Sequence, residues 1–88
     1  MPHRFVDYKV SLLWDDETAL VVADVPALGI ADDGTDAPTA LDSVREMAAF
    51  HIEGLIEKGQ HIPEEPDQGE GVFIRVRVPV RAATTTAP

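Results

Sequence analysis

Apolar and polar side chains alternate along two stretches of the chain, a pattern typical of β-strands with one buried face. In residues 8–14 the even-numbered positions hold Tyr, Val, Leu and Trp, with Lys, Ser and Leu between them. In residues 72–78 the even-numbered positions hold Val, Ile, Val and Val, with Phe, Arg and Arg between them. These patterns predict a first and a last strand, each presenting one apolar face. Trp14 ends the apolar face of the first strand, so we expect its side chain in the core.

Two more strands are predicted between these alternating segments. Residues 19–25 form an apolar, β-branched run that Pro26 ends, and residues 29–33 form a short third strand before Gly34. The connection between the first and second strands is a short polar turn, residues 15–18. A connection of this length favours an antiparallel hairpin.

One long amphipathic helix is predicted over residues 37–58. Asp36 is suited to the N-cap position, and Pro38 falls in the first turn, where a missing N–H is tolerated. Gly59 is suited to ending the helix. The apolar stripe follows helical spacing and consists of Leu41, Val44, Ala48, Ile52 and Leu55.

The element order strand, strand, strand, helix, strand predicts an α+β fold, with one helix packed on a four-stranded sheet. A helical crossover of this length suits a parallel return of the last strand, so a mixed sheet is expected. Pro79 is expected at a sheet edge or at the end of a strand. We assign residues 1–80 to one domain and residues 81–88 to a flexible tail.

Composition narrows the functional classes. The chain has 88 residues, no cysteine and a net charge of −9, from 16 acidic against 7 basic residues. This charge disfavours free nucleic acid as a partner and favours a basic protein. The N-terminal residues have no apolar signal region, and no segment is apolar enough to cross a membrane, so a cytoplasmic location is expected.

Catalytic chemistry is not expected. No carboxylate projects from residues 8–14, where a nuclease of the RNase H type would need metal ligands. The three histidines, His3, His51 and His61, lack metal-ligand spacing, and the acidic clusters at residues 15–17 and 32–33 are expected in turns. We therefore predict a protein that is not an enzyme and that requires neither a metal nor a cofactor.

The helix provides the first candidate contact surface. Phe50 points away from the apolar stripe, on the side that also carries Glu46, Glu53 and Glu57. An exposed aromatic ring among carboxylates is suited to anchoring a basic protein. The alternative is that Phe50 packs on a loop or is a singly exposed side chain of no functional importance.

The outer face of the sheet provides the second candidate surface. If the first and last strands are neighbours, this face brings together a basic and partly aromatic set of side chains: Lys9, Ser11, Leu13, Phe73, Arg75 and Arg77. One interpretation is a self-association face, on which these bases meet acids of a second subunit. Others are a platform on which nucleic acid bases stack, or a solvated sheet face.

The turn and cap residues carry a family resemblance over about residues 6–79. Three motifs follow one another in the order seen in HicB-like antitoxins. They are Val25-Pro26-Ala27-Leu28-Gly29, then Gly34-Thr35-Asp36 with Ala40-Leu41 after it, and then Gly59-Gln60-His61-Ile62-Pro63-Glu64-Glu65-Pro66. In that family the second motif reads Gly-Asp-Thr, so the order of Asp and Thr differs here. The joint order and spacing of these motifs resemble the HicB pattern.

The resemblance implies a truncated RNase-H-like sheet of strand order 3-2-1-4. It also implies an antitoxin that binds and neutralises HicA, a small basic mRNA interferase, and that forms a homodimer or homotetramer. Many family members carry a C-terminal DNA-binding segment. Only a short stretch follows the last strand here, which puts direct operator binding in question. The alternative is a stand-alone, homo-oligomeric HicB-like domain that binds a small ligand, another partner or RNA.

Overall fold

The computed structural model describes residues 3–79. Its elements are β1 (His3–Asp15), β2 (Leu20–Val25), β3 (Ile30–Gly34), α1 (Ala37–Glu57) and β4 (Val72–Pro79). The predicted order β-β-β-α-β and the α+β class are confirmed, and Pro79 ends the last strand. Residues 1, 2 and 80 of the assigned domain and the predicted tail, residues 81–88, lie outside the described residues.

The four strands form one sheet in the order β3-β2-β1-β4, as the resemblance implied. All three strand pairs are antiparallel, so the expected parallel return of β4 and the mixed sheet were wrong. The connection from α1 to β4 explains the difference. It runs beside β1, where the Tyr8 hydroxyl donates to Pro63 O and the Lys9 backbone N–H donates to Glu65. The chain therefore enters β4 opposite Val10 and runs back against β1.

Strand β1 is longer than predicted and belongs to two strand pairs. Its residues 3–10 pair with β4, and its residues 11–15 pair with β2. The sequence prediction began this strand at Tyr8 and missed the half that contains Phe5 and Asp7. Because Val6 lies on the same face as Tyr8, the alternation extends further towards the N-terminus than was recognised.

Helix α1 begins and ends where its caps predicted. The Thr39 backbone N–H donates to the Asp36 carboxylate at 2.9 Å. This hydrogen bonding with Thr39 holds the pKa of Asp36 below its usual value. At the other end Gly59 has φ +70°, and the Gln60 N–H donates to Leu55 O at 2.9 Å. A left-handed residue followed by this hydrogen bond is the Schellman arrangement that ends helices.

The core lies between α1 and the inner face of the sheet. The buried helix positions are Ala40, Val44, Ala48 and Ile52, while Leu41 and Leu55 of the predicted stripe are only half-buried. The sheet supplies the other buried apolar side chains, which are Tyr8, Val10, Ala23, Val25, Ile74, Val76 and Val78, and Leu28 joins them from the turn after β2.

Trp14 is not part of the core, contrary to expectation. Its side chain is 55% exposed, and its indole N–H donates to Asp16 at 2.7 Å. The pairing of β1 with β4 stops at Val10, so the end of β1 that carries Trp14 extends past its β4 neighbour. With the sheet narrower at this end, the indole remains in solvent.

Candidate protein-binding surfaces

The outward side of α1 carries an exposed aromatic ring among acids, as predicted. The Phe50 side chain is 79% exposed, and Glu46, Glu53 and Glu57 are exposed as well. Glu53, Glu46 and Glu57 lie three, four and seven positions from Phe50, respectively, so they share one side of the helix with it. The helix holds them in place because its opposite side is buried in the core. We call these four residues the acidic ridge.

The two flanks of the acidic ridge differ in chemistry. Towards β3 lies an open cleft of about 260 Å³, lined mainly by apolar side chains that include Ile30, Met47 and Leu55. Towards β4 lies a larger cleft of about 510 Å³, in which Arg45, Arg75 and Arg77 line the walls together with Glu46 and Glu53. A basic partner therefore meets apolar surface on the β3 side and like charge on the β4 side.

The outer face of the sheet brings β1 and β4 side by side, as expected. Lys9 pairs with Phe73, Asp7 with Arg75, and Phe5 with Arg77 in the strand register. Leu13 lies on the same face and pairs with Val22 of β2. The sequence therefore placed Lys9, Leu13, Phe73, Arg75 and Arg77 correctly on one face, but it omitted Phe5 and Asp7.

Two bases of this face are already paired within the chain. The Arg75 guanidinium donates to both carboxylate oxygens of Asp7, at 2.9 and 3.2 Å, and the Lys9 ammonium lies 2.7 Å from Asp67. Hydrogen bonds from Arg75 and Lys9 lower the pKa values of Asp7 and Asp67, respectively. The basic patch expected from the sequence is therefore largely neutralised. Among the described residues, Arg77 has no ion-pair partner.

The outer face also exposes two apolar side chains, one towards each end of β1, and it is acidic on the side of β2 and β3. Leu13 is 69% exposed and Phe5 is 55% exposed. On the side of β2 and β3, the register places Asp24 and Asp33 on this same face, through the pairs Ser11–Asp24 and Val22–Asp33. The face thus has acids at the β2–β3 side and arginines at the β4 side.

No cluster suited to metal binding occurs in the described part of the chain. Within residues 3–79, no three or more His, Asp or Glu side chains are placed to hold an ion. No helix within the described residues is both long and apolar enough to cross a membrane. His51 is half-buried beside the apolar cleft and His61 is exposed in the loop after α1.

No protein-family model matches the chain, and no match to it was found among the curated proteins or the solved structures.

Proposed function

We propose that this chain is a non-catalytic, antitoxin-type domain that binds and neutralises a small basic protein of the HicA-like mRNA interferase class. The observation that supports this most directly is the 79% exposure of Phe50 within the acidic ridge of α1. A large aromatic side chain left in water by a folded domain is a common anchor of protein interfaces. Its carboxylate neighbours favour a partner of opposite charge.

The acidic ridge is suited to an anchor-and-rim interface. Phe50 can enter an apolar pocket of the partner, while Glu46, Glu53 and Glu57 meet Lys or Arg side chains around it. The apolar cleft beside Met47 offers further surface on the β3 side. The partner therefore contacts the ridge and this cleft, and it avoids the arginines on the β4 side.

The residues that resemble the HicB motifs lie at turns and caps of the fold. Pro26 follows the end of β2, Leu28 is buried, and Gly29 has φ +68° in the turn before β3. Gly59 ends α1, and Ile62 packs against the core from the loop that follows. These positions support a shared architecture, and the antitoxin role is proposed from that likeness together with the ridge.

The first experiment is affinity purification with the tagged full chain from lysate of its source cells, followed by mass spectrometry and a binding assay. We expect a small basic protein whose RNase activity is abolished by one equivalent of the chain. The combined change Glu46→Lys and Phe50→Ala should weaken this complex by tenfold or more, because it removes the anchor and reverses a rim charge. Unchanged affinity would contradict the assignment of the ridge.

A charge-matched control separates the ridge from the overall acidity of the chain. Glu17 is exposed in the turn between β1 and β2 and is not part of α1. Glu17→Lys changes the net charge by the same amount as Glu46→Lys and should leave the affinity within about twofold at physiological salt. Equal losses in both variants would mean that net charge alone attracts the partner. Recovery of the bait alone would argue against the antitoxin proposal.

The second candidate is a stand-alone homo-oligomer. It is favoured by the apolar outer face of the sheet, on which Leu13 and Phe5 are exposed. Binding of RNA to this face has less support, because Lys9 and Arg75 are engaged by carboxylates of the same chain. The acidic ridge and the outer face are different surfaces that meet at the cleft lined by Arg75 and Arg77, so each is tested with variants of its own.

A further inference from the structure

Strand β4 is an edge of the sheet, because among the described strands only β1 lies beside it. The Lys9 backbone N–H donates to the Glu65 carboxylate, so it points away from β4. Lys9 and Phe73 are therefore a non-hydrogen-bonded pair of the ladder, and the same alternation applies at Arg75 and Arg77. The backbone N–H and C=O groups of these three β4 residues thus point towards the open edge, where no described residue hydrogen-bonds with them.

An open cleft of about 510 Å³ lies between this edge and α1. Its lining includes Arg75, Val76 and Arg77 from the strand, and Glu46 and Ala49 from the helix. An extended peptide that adds to a sheet edge takes its hydrogen bonds from the strand backbone and places alternate side chains in the neighbouring pockets. The edge of β4 provides the free backbone groups, and the cleft provides the space.

The side chains of β4 determine which strand can pair with it. Arg75 and Arg77 are exposed on the outer face, whereas Val76 between them is 2% exposed and lines the cleft together with Ala49. Among the described residues, Arg77 has no ion-pair partner. Opposite charges on neighbouring strands stabilise a sheet, and like charges destabilise it. A strand that alternates acidic and apolar side chains therefore complements this edge.

We propose that the edge of β4 binds an extended segment of another protein as a fifth strand, and that this segment carries acids beside Arg75 and Arg77 with an apolar residue between them. The backbone of the segment pairs with Phe73, Arg75 and Arg77. Its acidic side chains lie on the outer face, and its apolar side chain enters the cleft against Val76 and Ala49.

This partner differs from a second copy of the chain and from the partner proposed for the acidic ridge. Two β4 edges paired in a centred antiparallel register would oppose arginine to arginine, which charged edge strands use to prevent self-pairing. The ridge favours a basic protein, whereas the edge of β4 favours acidic side chains. The inference therefore goes beyond the proposed antitoxin function and does not rest on it.

A synthetic peptide tests the site. The probe is the capped peptide Thr-Glu-Val-Glu-Val-Glu-Thr, titrated into the ¹⁵N-labelled full chain and followed by NMR. The amide signals of Phe73, Arg75 and Arg77 should shift, and these amides should exchange more slowly with solvent, because they gain acceptors. The control peptide Thr-Glu-Glu-Glu-Val-Val-Thr has the same composition without the alternation and should bind roughly tenfold more weakly or worse.

Three results of this titration would overturn the proposal. The first is equal affinity for the two peptides, and the second is a set of shifts that leaves out these β4 amides. The third is slow exchange of the same amides before any peptide is added, because the edge would then already be occupied. Protection that rises with protein concentration would identify a second copy as the occupant, and protection that does not would identify a segment of the same chain.

Backbone methylation of the peptide separates strand pairing from charge attraction. In an added strand, alternate N–H groups face the neighbouring strand and the others face away from it. N-methylation of either the glutamates or the valines should therefore abolish binding, while methylation of the other set leaves it within about threefold. Loss with methylated glutamates indicates an antiparallel strand, and loss with methylated valines indicates a parallel one. Equal effects of the two sets would exclude strand addition.

Variants of the chain test the charge requirement. Arg77→Glu should weaken the peptide roughly tenfold or more, because it places like charges side by side. Lys58→Glu changes the net charge equally at an exposed position outside this cleft, and it should leave the affinity within about twofold. Glu46→Lys, which weakens the partner proposed for the ridge, should not weaken the acidic peptide. Equal losses for Arg77→Glu and Lys58→Glu, or a loss for Glu46→Lys, would contradict the site.

Discussion

Arg75 of β4 and Asp7 of β1 are directly opposed in the sheet, and the guanidinium of one donates to both carboxylate oxygens of the other. The Arg75 guanidinium also lies 5.7 Å from the centre of the Phe5 ring. Asp7 and Arg75 therefore join the first and last strands on the outer face. Because the Arg75 side chain is 67% exposed and the Asp7 side chain is 39% exposed, the effect of the pair on the stability of the fold is small.

The pH at which the Asp7 carboxyl titrates should reveal its pairing with Arg75. The hydrogen bond from Arg75 lowers the pKa of Asp7 in the folded state, so the pair stabilises the fold above the unfolded pKa of about 3.9. This stabilisation is lost as the pH falls below that value and through the folded pKa. Carbon NMR of the carboxylate should give a midpoint below the ordinary aspartate value, and Arg75→Gln should raise it. The pKa of Asp36, which Thr39 lowers, is the internal control and should not move.

Tyr8 ties the loop after α1 to the sheet. Its side chain is buried, and its hydroxyl donates to Pro63 O at 2.7 Å. Tyr8→Phe should lower the free energy of unfolding by about 1 kcal/mol, because a partly buried carbonyl loses its donor. Urea unfolding measures this loss. Trp14→Phe is the control, because it removes the indole N–H that donates to Asp16 from a side chain that is 55% exposed. This change should alter the free energy of unfolding by no more than about 0.5 kcal/mol.

Two glycines should respond in opposite directions to replacement by alanine. A Cβ at Gly34 would lie 2.6 Å from the Ala40 backbone nitrogen, so the start of α1 must shift. Gly34→Ala should therefore destabilise the fold by about 1–3 kcal/mol. A Cβ at Gly54 meets no atom within 4 Å, and Gly54→Ala within the helix should stabilise by about 0.5–1 kcal/mol. Thermal unfolding measures the stability change of both variants. Changes of the same sign would contradict the packing of α1 on β3.

Ile52 and Phe50 lie two positions apart on α1 but differ fully in burial. Ile52 is 1% exposed, so Ile52→Ala should cost about 2–5 kcal/mol and can unfold so small a domain. Phe50→Ala should change the free energy of unfolding by no more than about 0.5 kcal/mol, because its side chain is 79% exposed. A large loss for Phe50→Ala would show that the ring is structural, and it would invalidate this variant as a probe of binding.

The sequence predicted α1 well because every signal for it is local. The cap at Asp36 and the left-handed residue Gly59 act within one turn of the helix. Helical periodicity alone places Phe50 and the three glutamates on the outward side. The acidic ridge could therefore be predicted from the sequence, although its partner could not.

The errors concern relationships between distant residues. The direction of β4 depends on how the loop after α1 crosses beside Tyr8 and Lys9, and no local pattern encodes that path. The neutralisation of Lys9 depends on Asp67, which lies in that same loop. The exposure of Trp14 depends on where β4 begins relative to β1. Alternation gives the faces of a strand, but it does not give the extent of its neighbours.

Strand β1 pairs with β2 over one half and with β4 over the other, and this division predicts the order in which the two halves fold. Residues 11–15 find β2 across a short turn, whereas residues 3–10 pair with β4, more than 60 positions further along the chain. Contacts between such distant segments carry a larger loop-closure cost and form later. We therefore expect the hairpin of β1 and β2 to form before the complete sheet, so that residues 3–10 lack a strand partner until α1 has packed and β4 has formed. During that interval they present an open backbone edge, which makes the first strand the segment most exposed to pairing with another unfinished chain.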